Sequence, residues 1–409
     1  MGLCSVKPVK IESHCLQHIP YLIFALGGED SVNVNNVLCH PQQLAGHIQP
    51  DFCSRLHIHL NYLRQDRLEI FAPIALGVKW MISTCWWRII PMRERISIDN
   101  AAKLVELTQV KCGGVAEVAW SPDGKVLAVA GETVVELYAG TFGGQPTHTL
   151  KAHTGPVTGM AFGPHNSQLV SVSADKTIKM WDLSYIQIQV PEVATLTAHQ
   201  DSINAVAFDP DGRLLATGGA DGLVSLWDTQ THKQIAQLKG HEKAVTAVAF
   251  AIRGNLVVSG GQDNTVRLWD TSAETEGTII GAHDAAVSAV CCNPPGTMIA
   301  SACKDGTVRL WDAFSGNQYA VIDAHDGGVN CITFSPFGEL MATGGEDKVM
   351  RLWDVQRVLT DGMATPSNAL VAIESPQNPV VSVAFNPPGT LIASGRGDGI
   401  VHLWSIPEN

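Results

Sequence analysis

One ten-residue phrase recurs through most of the chain. SADKTIKMWD ends at Asp182, GADGLVSLWD at Asp228, GQDNTVRLWD at Asp270, CKDGTVRLWD at Asp312, GEDKVMRLWD at Asp354 and RGDGIVHLWS at Ser405. The tryptophans of these copies, Trp181, Trp227, Trp269, Trp311, Trp353 and Trp404, stand 46, 42, 42, 42 and 51 residues apart. A seventh copy, residues 115–138, carries Tyr138 in the tryptophan place. A unit of this length cannot bury two faces alone, so the copies must stack on one another.

Each copy reads as short strands. Val157–Phe162, Ile203–Phe208 and Val245–Phe250 are apolar β-favouring runs. Turns such as GPHN, DPDG, NPPG and SPFG follow them, supplying the backbone that Pro and Gly favour. A second strand, a tight turn at the Asp of the phrase, the Trp strand and a fourth strand complete the copy. A period of about 40–45 residues with four strands is the signature of a propeller blade. Seven copies imply an all-β, seven-bladed β-propeller of four-stranded antiparallel blades. The last copy stops on its third strand at Trp404, and LVELTQV (104–110) is expected to supply the missing one. Such closure removes the open sheet edge between first and last blades. The propeller is expected over residues 99–409, with residues 1–98 as an irregular extension.

Four residue types recur in register. They are His153/Ser171/Asp175/Trp181, His199/Thr217/Asp221/Trp227, His241/Ser259/Asp263/Trp269, His283/Ser301/Asp305/Trp311 and His325/Thr343/Asp347/Trp353. His precedes Trp by 28 residues and Asp precedes it by 6 in all five copies. Ser, His and Asp together invite a catalytic reading, but a catalytic set is needed once and this one is repeated. A hydroxyl, an imidazole, a carboxylate and an indole N–H can instead satisfy one another in a buried chain. The reading is therefore a structural network, with no catalytic residue. The last copy keeps Ser394, Asp398 and Trp404 but has Pro376 at the His place; the first has only Glu132 as an Asp substitute.

With its GH/AH and WD dipeptides, the chain over about residues 103–406 resembles the WD-repeat β-propeller family. That resemblance implies a structural role for the four-residue network and a platform for protein partners. Strand alternation places the His loops and Asp turns on one face. There the residues beside His and Asp vary between copies, so Glu242, Gln262, Lys304, Glu346, Asp201, Asp284 and Asp326 are the candidate partner-binding set. On the other face, the connections 183–193 and 355–370 are the long ones. Tyr185, Ile186 and Ile188 in the first form either an exposed apolar patch or outer-strand packing, and packing is the expectation. The alternative function is an enzyme or small-ligand propeller with its site at the central channel. It would need unusual charged residues on an innermost strand, and VTAVAF, VSAVCC and VNCITF supply none.

Charge and motifs narrow the function further. The formal net charge is −12, which argues against a nucleic-acid partner. Residues 1–91 carry 7 basic and 6 acidic residues, and the remainder carries 20 and 33. No HExxH, GxSxG, phosphate loop or dinucleotide fingerprint occurs, so no cofactor is expected. The ten cysteines form no CxxC pair and fit packed thiols in a cytoplasmic or other reducing compartment. No apolar run reaches the ~20 residues of a membrane span; the longest are 19–28 and 70–78. The start MGLCSV places Val6 where a myristoylation signal wants Ser or Thr.

Residues 1–91 have a different character. They hold 5 of the 10 Cys, 6 of the 15 His and the run WMISTCWWRII (80–90), without a period. Cys39, His40, His47, Cys53, His57 and His59 match no zinc-module spacing, so no metal is assigned to them. A closed ring has no slot for ninety more residues. The expectation is an upstream extension with the native start at Met92; the competing reading is a small accessory domain or apolar interfacial segment.

Overall fold

Seven four-stranded antiparallel sheets follow one another around a ring. The computed structural model describes residues 93–407, apart from 141, 166, 198, 252–253, 273–276 and 375–376. The expectations for residues 1–92 — native start, Cys/His run and apolar stretches — and for Pro376 lie outside the described residues.

Blade 1 comprises Glu117–Trp120, Val126–Ala130, Val134–Ala139 and His148–Lys151. Blade 2 is Val157–Phe162, Gln168–Ser173, Thr177–Asp182 and Glu192–Thr197. Blade 3 is Ile203–Phe208, Leu214–Gly219, Leu223–Asp228 and Lys233–Lys239. Blade 4 is Val245–Ala251, Leu256–Gly261, Thr265–Asp270 and Thr278–Ala282. Blade 5 is Val287–Cys292, Met298–Cys303, Thr307–Asp312 and Gln318–Asp323, and blade 6 is Val329–Phe334, Leu340–Gly345, Val349–Asp354 and Val371–Glu374. Blade 7 takes Val380–Phe385, Ile392–Arg396 and Ile400–Ser405, and its outer strand is Val105–Lys111. That strand runs antiparallel to Ile400–Ser405, from Val105 opposite Ser405 to Lys111 opposite Ile400. The ring is closed as its sequence implies.

The core lies between the blades. Trp227 of blade 3 packs with Val170, Val172, Ile178 and Met180 of blade 2. Trp269 does the same against Ala216, Val224 and Leu226 of blade 3, and Trp311 against Val258 and Val266 of blade 4. Tyr138 takes this place in blade 1, buried with Val401 and Leu403 of blade 7. One large aromatic per period is thus the filler of each inter-blade gap, worth several kcal/mol by burial. Ile96 and Ala101, ahead of the closing strand, are buried with Ile392, Trp404 and Ile406.

The two long connections fold differently. After Asp354 the chain forms the helix Val355–Asp361, with Asp354 accepting from the Arg357 amide at its start. Val355 and Val358 are buried with Trp353 and Ile322. The helix ends at Gly362, whose positive φ of 69° is a left-handed cap. Met363–Ala364 then pairs parallel to Gln318–Asp323, adding a fifth short strand to blade 5. In the other connection Leu183 is buried and Ile186 and Val190 pack against the same cluster. Tyr185 and Ile188 are 62% and 80% exposed, which corrects the expectation that they pack. They stand on a run of turns, 184–188, outside the strands of the blade.

Candidate interaction face

The recurring polar residues meet inside each blade. In blade 4, Trp269 Nε1 donates to Ser259 Oγ at 2.7 Å, and Ser259 Oγ lies 2.7 Å from His241 Nε2. His241 Nδ1 lies 2.9 Å from Asp263 Oδ2. Asp263 also accepts from the amides of Glu242 and Thr265. The carboxylate therefore ties the tight turn to the loop that enters the blade. The hydroxyl bridge is repeated at Ser171, Thr217, Ser301 and Thr343, between Trp181 and His153, Trp227 and His199, Trp311 and His283, and Trp353 and His325. His Nδ1 reaches Asp175 at 3.1 Å, Asp221 at 2.9 Å and Asp347 at 2.8 Å, but Asp305 only at 3.7 Å. In blade 7, Trp404 donates to Ser394, while Asp398 accepts from Ile400 N and from Asn378. Glu132 of blade 1 is exposed. There Tyr138 donates instead to Glu136, with Cys112 Sγ 3.7 Å away.

Burial sets the protonation of this network. It pushes His153, His241 and His325 below the ordinary imidazole value. Burial, reinforced by the Arg309 charge, holds His283 down at about 4. Burial works to raise Asp175, but hydrogen bonds from Thr177 and the Thr154 amide outweigh it and leave Asp175 at about 2. Neutral imidazoles facing ionised carboxylates are a bonding arrangement, with Nδ1–H donating to Asp.

Asp263→Ala tests the weight of that arrangement. It strands the His241 ring N–H, the Glu242 amide of the entering loop and the Thr265 amide after the turn. The unfolding midpoint in urea is expected to fall by the equivalent of about 1–3 kcal/mol, with the m-value unchanged. An unaltered midpoint would show that the carboxylate carries no stability.

Above the network, Asp201, Glu242, Gln262, Asp284, Lys304, Asp326 and Glu346 are all exposed on the rim. Lys304 Nζ lies 3.2 Å from Glu346 Oε1 and 2.6 Å from Asn330 Oδ1, spanning blades 5 and 6. Arg309 lies 4.0 Å from Asp284. The amides of Glu242, Asp284 and Asp326 are held by the half-buried Asp carboxylates, and those of Gln262, Lys304 and Glu346 by backbone carbonyls, so these side chains project from a fixed frame.

Two features escape a reading of the repeat alone. The residue after the first of each innermost strand sits at a register shift in blades 2–7. A bulge there re-aims the side chain toward the next blade. Thr158 donates to Ile203 O, Asn204 to Val245 O at 2.8 Å, Thr246 to Val287 O at 2.6 Å, Ser288 to Val329 O and Asn330 to Val380 O at 3.1 Å. Between blades 7 and 1 the link is reversed, with the Val118 amide donating to Ser382. Between blades 1 and 2, the Met160 amide donates to Glu117 at 2.6 Å. Glu117 is thus a charged residue on an innermost strand, and burial raises it to about 7. Short polar residues at second place in VTGMAF, INAVAF, VTAVAF, VSAVCC and VNCITF were the available signal. The second feature is the Asp of each WD pair. Asp182, Asp228, Asp270 and Asp312 accept from amides two or three residues on and shape the turn after the Trp strand.

Comparison with known proteins agrees with this geometry. A family model described as "EIPR1 beta-propeller" matches residues 86–269. The model "WD domain, G-beta repeat" matches residues 275–312, 316–354 and 369–405. Topless-related protein 3 of Arabidopsis thaliana is 43% identical over 77 residues, 17% of this chain and 7% of that protein. The target of rapamycin complex subunit wat1 of Schizosaccharomyces pombe is 40% identical over 70 residues, 17% of this chain and 22% of its own length. COMPASS component SWD3 of Saccharomyces cerevisiae is 37% identical over 68 residues, 16% and 21% of the two chains. These matches span less than a quarter of each relative. Seven stacked blades, a Trp or Tyr in every inter-blade gap and two family models covering successive stretches of the ring make this chain a member of the WD-repeat β-propeller family.

Proposed function

We propose that the ring is a non-catalytic scaffold whose protein partner docks on the face of the His loops and Asp turns. The observation that carries this reading is the contrast within that face. The recurring Trp and Ser/Thr and four of the five His are buried, with half-buried Asp residues completing their hydrogen bonds, while the seven that vary between copies are exposed on the loops and turns that this network pins. A rigid frame with variable side chains loses little conformational freedom on binding. Two relatives carry names that make them parts of assemblies, a complex subunit and a COMPASS component. On the innermost strands Thr158, Asn204, Thr246, Ser288 and Asn330 already donate to neighbouring backbone carbonyls, and Glu117, the charged residue there, is engaged by the Met160 amide of the next blade. Cytoplasmic or other reducing surroundings fit the five described cysteines, all of which are free thiols.

Replacing Glu242, Gln262, Lys304 and Glu346 together by Ala tests the docking face. A partner recovered from native extract is expected to bind at least about tenfold more weakly, the loss of about 1.4 kcal/mol. The melting temperature should stay close to that of the parent, because exposed substitutions move stability by only about 0.5 kcal/mol each. Loss of binding only on changing 183–193 or 355–370 would place the partner on the opposite face.

A further inference from the structure

Blade 5 departs from its neighbours at one position. Two residues before the turn Asp, blades 3, 4 and 6 have Gly219, Gly261 and Gly345, and blade 2 has Ser173. Blade 5 has Cys303, fully buried. The glycines show where a side chain at this place must go. A Cβ built on Gly261 would lie 2.6 Å from both Asp263 Oδ1 and His241 Nδ1. Gly219 and Gly345 give the same result against His199 with Asp221 and His325 with Asp347. Cys303 therefore sets its side chain beside an imidazole and a carboxylate.

The pair has opened around it. His283 Nδ1 and Asp305 Oδ2 are 3.7 Å apart, against 2.8–3.1 Å in the other four blades. That is too long for a hydrogen bond. It is the spacing of two atoms bound to one tetrahedral ion, since bonds of about 2.0–2.3 Å set ligand atoms roughly 3.3–3.8 Å apart. The ligand atoms of His283, Cys303 and Asp305 all lie within 4.8 Å of one another. Imidazole, thiolate and carboxylate together suit a borderline-soft divalent ion.

We propose that His283 Nδ1, Cys303 Sγ and Asp305 hold one divalent ion of the zinc class, with water in the fourth position. The second shell is already in place. With Nδ1 as ligand, Nε2 carries the proton and donates to Ser301 Oγ, 2.7 Å away. Ser301 Oγ also accepts from Trp311 Nε1 at 2.8 Å, which uses its two lone pairs. The Asp305 amide donates to Cys303 Sγ at 3.3 Å and can do so equally to a thiolate, while burial keeps the free thiol up at about 11, so the proton leaves only as the ion binds. Binding releases the thiol proton to solvent, Sγ gives up its bond to the Ala285 carbonyl, and His283 Nδ1 gives up its 3.3 Å contact with Thr307 Oγ1, which keeps Asp305 Oδ1 as its acceptor. Asp305 is 14% exposed, so the fourth position opens toward the rim.

The test uses the full chain, titrated with cobalt(II) and zinc(II), beside Cys303→Ser. Serine is the residue blade 2 carries at this place, and Cys303→Gly, matching blades 3, 4 and 6, gives the same readout should the serine variant melt early. The parent is expected to show a thiolate-to-cobalt charge-transfer band. The variant should lack it and bind zinc at least about tenfold more weakly, while the metal-free melting temperatures agree. An unchanged band and affinity in the variant would put the metal elsewhere. No binding at micromolar metal would mean that the sulfur only wedges the pair apart. Either result overturns the site without touching the docking face.

Discussion

Deleting Val105–Lys111 should abolish the cooperative unfolding of the whole ring. Among the described residues, the strand is the sole partner of the outer edge of Ile400–Ser405. Its Val110 is buried between blades 7 and 1 with Val401, Leu403 and Tyr138. Burial of each such side chain is worth about 1.5–3 kcal/mol, and the deletion uncovers several at once. The loss approaches the whole stability of a typical domain, about 5–15 kcal/mol. It also leaves six residues of unpaired strand edge, a template for association. Circular dichroism in a urea series and light scattering are the measurements. A monomeric deletion chain with the parent's midpoint would show that blade 7 stands without its N-terminal strand.

Acid should weaken the ring well before ordinary carboxylates titrate. His153, His241, His283 and His325 are held below their unfolded value, so the folded state binds fewer protons than the unfolded one. Their contribution is complete above pH ~6.5 and is lost as pH falls toward the folded values. For His283, which falls from 6.5 to about 4, the linked stability is on the order of 3 kcal/mol. Glu117 works the other way. Raised from 4.5 to about 7, it weakens the fold as pH rises above 4.5 and is relieved on acidification. Four histidines outweigh one glutamate, so urea midpoints are expected to fall steadily from pH 7 to pH 4. Below that, the depressed Asp175 adds to the loss down to about pH 2. Glu117→Gln keeps an acceptor for the Met160 amide and removes the opposing titration. It should raise the midpoint at pH 8 and steepen the decline toward pH 4. A flat profile in the parent would contradict a buried neutral histidine network.

The repeat made much of this legible. Trp at a fixed period specified the number of blades, because one aromatic fills each gap between stacked sheets. The 28- and 6-residue spacings specified the network, because hairpin register carries them into contact wherever the period is kept. The absent fourth strand after Trp404 identified its donor, because a sheet edge must be paired.

Other features rest on relations between copies that no single copy contains. Tyr138 and Trp404 are alike in sequence role, yet only packing shows each closing the gap to the blade before it. The bulged Thr158, Asn204, Thr246, Ser288 and Asn330 read as ordinary strand residues until the next blade's carbonyl lies beside them. The connection 355–370 is merely long in sequence; burial of Val355 and Val358 makes it a helix, and the free edge of blade 5 takes Met363–Ala364 as a strand. Cys303 looks like one more packed thiol. Only the tertiary structure brings its sulfur close to His283 and Asp305, because the groups come from a loop, a strand and a turn whose meeting point is decided by the blade's fold.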